Sequence, residues 1–154
     1  MTYEDLEVFK LVHRLVLDVY QLAKEFPSSE RFRLTDQVCR SASSIPANIA
    51  EGYGRFSLKE RVRFLYIARG SVEELKYHLL LARDLGYLQD TDQPGNQEPT
   101  YQTLRNQLDS AGRMLNRLIA SIKNTKKPSD QVTRKPNTRK PSNQVTMKPD
   151  TKKP

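Results

Sequence analysis

A chain of 154 residues with a formal net charge of +8 and only 36% apolar residues has room for one domain with a sizeable core and little for a second. Trp is absent, so the composition fits a slim bundle or a chain that is folded over part of its length. The lone cysteine, Cys39, excludes an internal disulfide and points to a reducing compartment. No stretch approaches the roughly 20 apolar residues of a membrane span, and Met1 to Lys10 is acidic where a cleaved leader would be apolar, so a cytoplasmic protein is expected.

The first predicted helix has Thr2 as N-cap with Asp5 three residues on, a capping box with Asp in place of Glu, and runs to about Glu25. Val8, Val12, Leu15, Val19, Leu22 and Phe26 alternate steps of four and three; Phe9, Leu11, Val16, Tyr20 and Ala23 widen that stripe towards two neighbours. Pro27-Ser28-Ser29 ends it. His13 lies off the stripe and reads as a surface residue.

The second helix is predicted from about Ser29 to Tyr53, with Leu34, Val38, Ala42, Ile45 and Ile49 as its apolar stripe. Pro46 removes a backbone donor and clashes with the carbonyl of Ala42, which predicts a kink or a restart there; Ser43 and Ser44 are placed to satisfy the freed carbonyls. Beside the apolar stripe runs a polar one, Ser41, Ser44, Asn48 and Glu51. It is either a solvated face or a buried hydrogen-bonding seam, with Arg40 and Arg69 the candidate partners of Glu51. Gly52 and Gly54 are expected to close the helix.

Ser57 and Glu60 predict a capping box at the start of the third helix, whose stripe of Leu58, Val62, Leu65, Val72, Leu75, Leu79 and Ala82 leads to Gly86. Ala68, Gly70 and Ser71 stand where large side chains belong, and a glycine inside a helix costs about 1 kcal/mol relative to alanine. A close helix approach against Pro46 is the expected return. A polar loop from Asp90 to Pro99 turns at Pro94-Gly95. Tyr101, Leu104, Leu108, Ala111, Leu115, Leu118 and Ile122 then alternate steps of three and four, the period of a left-handed bundle seam. The predicted fold is all-α, an antiparallel up-down-up-down four-helix bundle over residues 1–123.

Residues 124–154 differ in kind. They carry nine Lys or Arg against two Asp, net +7, while the preceding residues sum to +1. Lys127 to Thr138 returns as Lys140 to Thr151 with three substitutions, a thirteen-residue period with one valine per copy. Such copies bury too little apolar surface to offset ordering, so a disordered basic tail is expected. It is either a polyanion-binding arm or the product of tandem copying alone.

No motif for chemistry stands out. Neither His13 nor His78 follows a Glu at the spacing of a di-iron bundle. Glu74 and His78, one turn apart, read as a local hydrogen bond. No Arg lies a few residues before a histidine, and Gly52-Tyr53-Gly54 lacks the strand and the Lys-Ser or Lys-Thr of a phosphate loop. The expectation is a non-enzyme without cofactor or metal. What remains is recognition: Arg55, Lys59, Arg61 and Arg63 cluster with Tyr53 and Phe56 where the second helix gives way to the third, a combination suited to phosphates and base stacking. The plainer reading is a solvated helix face. Lys126, Lys127, Arg134, Lys135, Arg139 and Lys140 of the tail complete the candidate nucleic-acid-binding set. Ser44, Pro46, Asn48, Glu51, Gly52 and Arg69 form the candidate structural or oligomer motif.

Phe26-Pro27, Glu30, Leu34, the run Ser44 to Gly52, Arg55, Ser57, Ala68-Arg69-Gly70-Ser71, Glu74-Leu75 and Leu85-Gly86-Tyr87 occur in the order of a known pattern. Over about residues 3 to 123 the chain resembles the bacterial four-helix-bundle family of 23S rRNA intervening-sequence proteins, related to accessory proteins of diversity-generating retroelements. The resemblance implies a ring-like homo-oligomer, a pentamer in the family, with nucleic acid and a reverse transcriptase as partners. The family's name records a gene location and not an activity, and the repetitive tail departs from the compact family pattern. Two functions follow as expectations: a homo-oligomeric bundle that binds RNA or DNA as an accessory factor, or a protein-interaction scaffold without nucleic acid.

Overall fold

The computed structural model describes residues 1–90 and 99–125. Within them the chain forms four long α-helices and no strand: α1 (Glu7–Leu22), α2 (Leu34–Gly54), α3 (Leu58–Asp84) and α4 (Tyr101–Asn124). The turn at Pro94-Gly95 and the tail residues Lys126, Lys127, Arg134, Lys135, Arg139 and Lys140 lie outside the described residues.

The apolar stripes become the core. Val8, Val12, Leu15, Val19, Leu22 and Phe26 are buried, as are Leu34, Val38, Ala42, Ile45 and Ile49. On α3 the stripe is buried from Leu65 onward, while Leu58 and Val62 at its start are half-exposed. The packed pairs are α1 with α2, α2 with α3, α3 with α4, and α4 with α1; α2 and α3 share the most extensive face. Along that face Gly52 meets Phe64, Ser44 meets Ser71, Ser41 meets His78 and Glu30 meets Tyr87, so residue numbers fall on one helix as they rise on the other.

Several element ends differ from the sequence reading. The Thr2–Asp5 box forms, with the Asp5 carboxylate accepting from the Thr2 backbone N–H at 2.7 Å, but it closes a single 3-10 turn, Tyr3–Asp5. An extended Leu6 separates that turn from α1. The second helix starts at Leu34 and not at Ser29, because Arg33 takes a non-helical conformation and Ser28–Glu30 is a separate 3-10 turn. The Glu30 carboxylate then accepts from the Leu34 N–H at 3.4 Å. Pro46 neither restarts nor interrupts α2, which is helical throughout. The serines beside it serve other acceptors: Ser43 Oγ donates to the Arg40 carbonyl at 3.2 Å, and Ser44 Oγ pairs with Ser71 Oγ at 2.8 Å. Ser57 holds an extended N-cap backbone without a side-chain cap, and Glu60 turns to Arg63 at 3.5 Å.

The glycines exchange roles. Gly70 is exposed, and a Cβ there would meet nothing within 4 Å. Close approach occurs at buried Gly52, where a Cβ would lie 3.0 Å from Phe64 Cβ and 3.2 Å from the Arg61 carbonyl oxygen. Gly52 is thus a helix-packing residue and not a terminator. Gly86, at φ +79°, ends α3 in the left-handed conformation. On α4 the seam drifts: Ile119 is buried while Leu118 and Ile122 are half-exposed. A straight helix of 3.6 residues per turn gains about 20° per heptad on a strict seven-residue pattern.

Candidate nucleic-acid interface

The polar stripe of α2 is a seam for three of its four members. Ser41, 2% exposed, lies with its Oγ 3.3 Å from His78 Nδ1 and donates to the Gln37 carbonyl at 2.8 Å. Asn48 Nδ2 donates to the Ser44 carbonyl at 2.7 Å and to Ser44 Oγ at 3.0 Å. Together with the Ser44–Ser71 pair this keeps the half-buried groups between α2 and α3 hydrogen-bonded, as burial demands. His78 therefore partners Ser41 and not Glu74. Glu51 lies beyond the seam, exposed and paired with Arg55. Its two nominated partners are engaged elsewhere: Arg40 with Asp36 at 3.8 Å and Arg69 with Glu73.

Arg69 belongs to a second polar line, between α3 and α4, which the sequence reading missed. Its guanidinium covers Gly112, with a Cβ there only 3.5 Å from Cζ. Lys76 is buried and bridges Glu73 at 3.1 Å and Asp109 of α4 at 2.7 Å. Burial pushes the Glu73 carboxyl up, but hydrogen bonds from Arg69 and Lys76 outweigh it and hold it below the usual range. The Lys76 hydrogen bond likewise lowers Asp109. No local motif signals this pairing, because its ends lie 33 positions apart on different helices.

The predicted basic cluster divides. Gly52 draws the end of α2 tight against α3, and the connection Arg55–Ser57 leaves Phe56 fully exposed. Arg55 folds back onto Glu51 and over the Phe64 ring, 4.9 Å from its centroid. Lys59 and Arg63, one turn apart, are exposed on one side of α3. Tyr66 follows three residues on, and Lys123 of α4 donates to its hydroxyl at 2.7 Å while lying 4.9 Å from its ring centroid. A shallow apolar hollow of about 210 Å³ formed with Leu58, Val62 and Ile122 has Lys59 and Lys123 at its edge. Lys123 and Tyr66 were not predicted for this patch, because only the packing of α4 on α3 brings them to it.

Arg61 and Tyr53 stand apart from that face. The Arg61 guanidinium stacks on the Tyr53 ring at 4.5 Å, beside a cavity under the N-terminal segment. Burial raises the Tyr53 hydroxyl above its ordinary pKa, with the Arg61 charge opposing.

Among the described residues no helix is long and apolar enough to cross a membrane, and no three His, Cys, Asp or Glu side chains are grouped to hold a metal ion. These features define an all-α helical-bundle protein with a basic, aromatic end. The chain belongs to the family of 23S rRNA-intervening sequence proteins, whose family model matches residues 4–117. Among solved structures it is similar to a protein of unknown function from the S23 ribosomal protein family of Bacteroides thetaiotaomicron. Identity is 23% and the TM-score 0.61, over 73% of this chain and 95% of that one; this likeness shows the fold. No curated protein matches.

Proposed function

We propose that the protein is a non-enzymatic, homo-oligomeric, up-down-up-down bundle that binds RNA or DNA through the face formed by Phe56, Lys59, Arg63, Tyr66 and Lys123. The carrying observation is the gathering of exposed cations from two helices, Lys59 and Arg63 on α3 and Lys123 brought from α4 onto Tyr66, with Phe56 fully exposed on the connection that precedes α3. Exposed rings offer stacking to any base, and the cations follow the phosphates. Residues 124–154 add nine Lys or Arg against two Asp to the chain's charge. The cytoplasm is the compartment this reading takes, and an accessory role beside a ribonucleoprotein or a reverse transcriptase is the setting that the family resemblance favours.

A second reading, a protein-interaction scaffold, has its own observation. Ile67 and Tyr77 of α3 and Leu85 just past its end are exposed, apolar surface available to a second copy of the chain or another protein.

Fluorescence anisotropy of a labelled oligonucleotide against the full chain, across a salt series, tests the first reading. Each neutralised phosphate steepens the salt dependence, so Lys59→Gln and Lys123→Gln should each lower the log–log slope by about one. Truncation after Asn124 should lower affinity and slope further while leaving the melting temperature nearly unchanged. Binding indifferent to salt, or none to any nucleic acid, leaves the scaffold reading in its place.

A further inference from the structure

The cavity between the N-terminal segment and the α2–α3 junction has the dimensions and the unmatched charge of a ligand site. Met1, Thr2, Tyr3, Ala50, Tyr53, Gly54 and Arg61 line a volume of about 410 Å³, within the roughly 300–1,000 Å³ typical of small-molecule sites and far more than a bare ion needs. Its small residues keep it open: a Cβ at Gly54 would meet nothing within 4 Å.

Arg61 sets the chemistry. Its neighbours at this end are matched, Arg55 with Glu51 and Arg63 with Glu60, whereas Arg61 has no carboxylate partner among the described residues. Its Nε is shielded from solvent and makes no hydrogen bond. That nitrogen therefore does not line the cavity, and the terminal amino groups of the guanidinium are the donors left to a ligand there. Stacking on Tyr53 fixes the plane of the guanidinium, so its N–H edge is presented in a set orientation. A planar fork of donors matches the two oxygens of a phosphate. The Tyr53 hydroxyl, protonated at neutral pH as any tyrosine is, is a further donor.

We propose that this cavity binds a phosphate monoester, with Arg61 and Tyr53 on the phosphate and the attached organic group in the remaining volume. The site is separate from the Lys59–Lys123 face and stands whether or not that face binds nucleic acid. A free nucleotide and the 5′ end of a strand both carry this group.

Isothermal titration of the full chain with inorganic phosphate, adenosine 5′-monophosphate and adenosine tests it. The expected order is monophosphate tightest, phosphate weaker and adenosine not bound. Arg61→Gln should weaken the monophosphate at least about tenfold, Arg61→Lys should weaken it because the charge stays but the fork is lost, and Arg14→Gln on exposed α1 should not. Because Arg61→Gln also loses the stack on Tyr53, circular dichroism confirms that the variant is folded at the titration temperature. The monophosphate should also raise the melting temperature of the parent and leave that of Arg61→Gln unmoved. A 5′-phosphorylated oligonucleotide binding more tightly than its 5′-hydroxyl form, with the difference lost in Arg61→Gln, assigns the ester to a strand end; equal binding of the two, with the mononucleotide still bound, assigns it to a free nucleotide. Failure of the monophosphate to bind, or binding unchanged in Arg61→Gln, overturns the site.

Discussion

Two helical glycines should answer the same substitution with opposite signs. Gly70 is exposed with open space at its Cβ position, so Gly70→Ala adds helix propensity and loses nothing, a gain of about 1 kcal/mol. At this chain length that raises the melting temperature by about 4 °C. Gly52→Ala carries the same propensity gain but places a methyl 3.0 Å from Phe64 Cβ and 3.2 Å from the Arg61 carbonyl. Neither neighbour is the free end of a flexible side chain, so relief requires α2 and α3 to separate. Overpacking of this kind costs about 1–3 kcal/mol. After the propensity gain the net loss is up to about 2 kcal/mol, and Gly52→Val should lose more. Separation would also stretch the 2.8 Å Ser44–Ser71 contact two turns away. Circular-dichroism melts and urea titrations of the full chain measure both variants. If Gly52→Ala stabilises as much as Gly70→Ala, the two helices do not meet at Gly52 and the account of their junction is wrong.

The Lys76 line should show in the acid limb of stability. Glu73 and Asp109 have lowered folded-state pKa values, so their contribution is present above the ordinary carboxylate range of about 4 and is lost as pH falls through the folded values. Asp109→Asn should flatten that decline in denaturant titrations below about pH 5, and an unchanged acid limb would show that the pair contributes nothing. The seam should distinguish Asn48 from Glu51. Asn48→Ala removes two hydrogen bonds to Ser44 and should cost about 1 kcal/mol, whereas Glu51→Ala, losing an exposed pair, should stay within about 0.5 kcal/mol in the same melts.

The parts of this fold that were legible are those set by spacing along one helix. The four-and-three stripes of α1 and α2 are buried throughout, because a 3.6-residue period leaves those positions only one face to share, whereas of the residues expected to widen the first stripe only Ala23 is buried and Tyr20 is exposed. What failed depends on a neighbour. Gly70 and Gly52 are equally glycine, and only the approach of α3 decides which one is crowded. Glu51 pairs with Arg55 four residues away, the local partner that i,i+4 geometry offers first, whereas Arg40 lies three turns back on the same helix and Arg69 could be reached only through a packing register that spacing does not supply. Lys59 and Arg63 share a face as their spacing requires. Arg61, two residues from each, stacks on Tyr53 instead, so a cluster read from adjacent numbers divides into two groups once the helix is wound.

The two proposed surfaces on α3 act on each other. Lys59, Arg63 and Tyr66 occupy its first turns, while Ile67 and Tyr77 further along it and Leu85 just past its end are the exposed apolar residues of the proposed flank. An assembly held through that flank would gather several copies of the basic end on one side. Each copy offers few phosphate contacts, so a single chain should bind weakly and a gathered set strongly, because later contacts on one strand become intramolecular. Tyr77→Lys places a charge in the flank without touching the basic end. It should convert the assembly to monomer in light scattering and lower oligonucleotide affinity by more than tenfold, although its added charge alone would raise affinity. A monomeric Tyr77→Lys protein that binds as tightly as the parent would show that the basic end works alone and that the flank serves another partner.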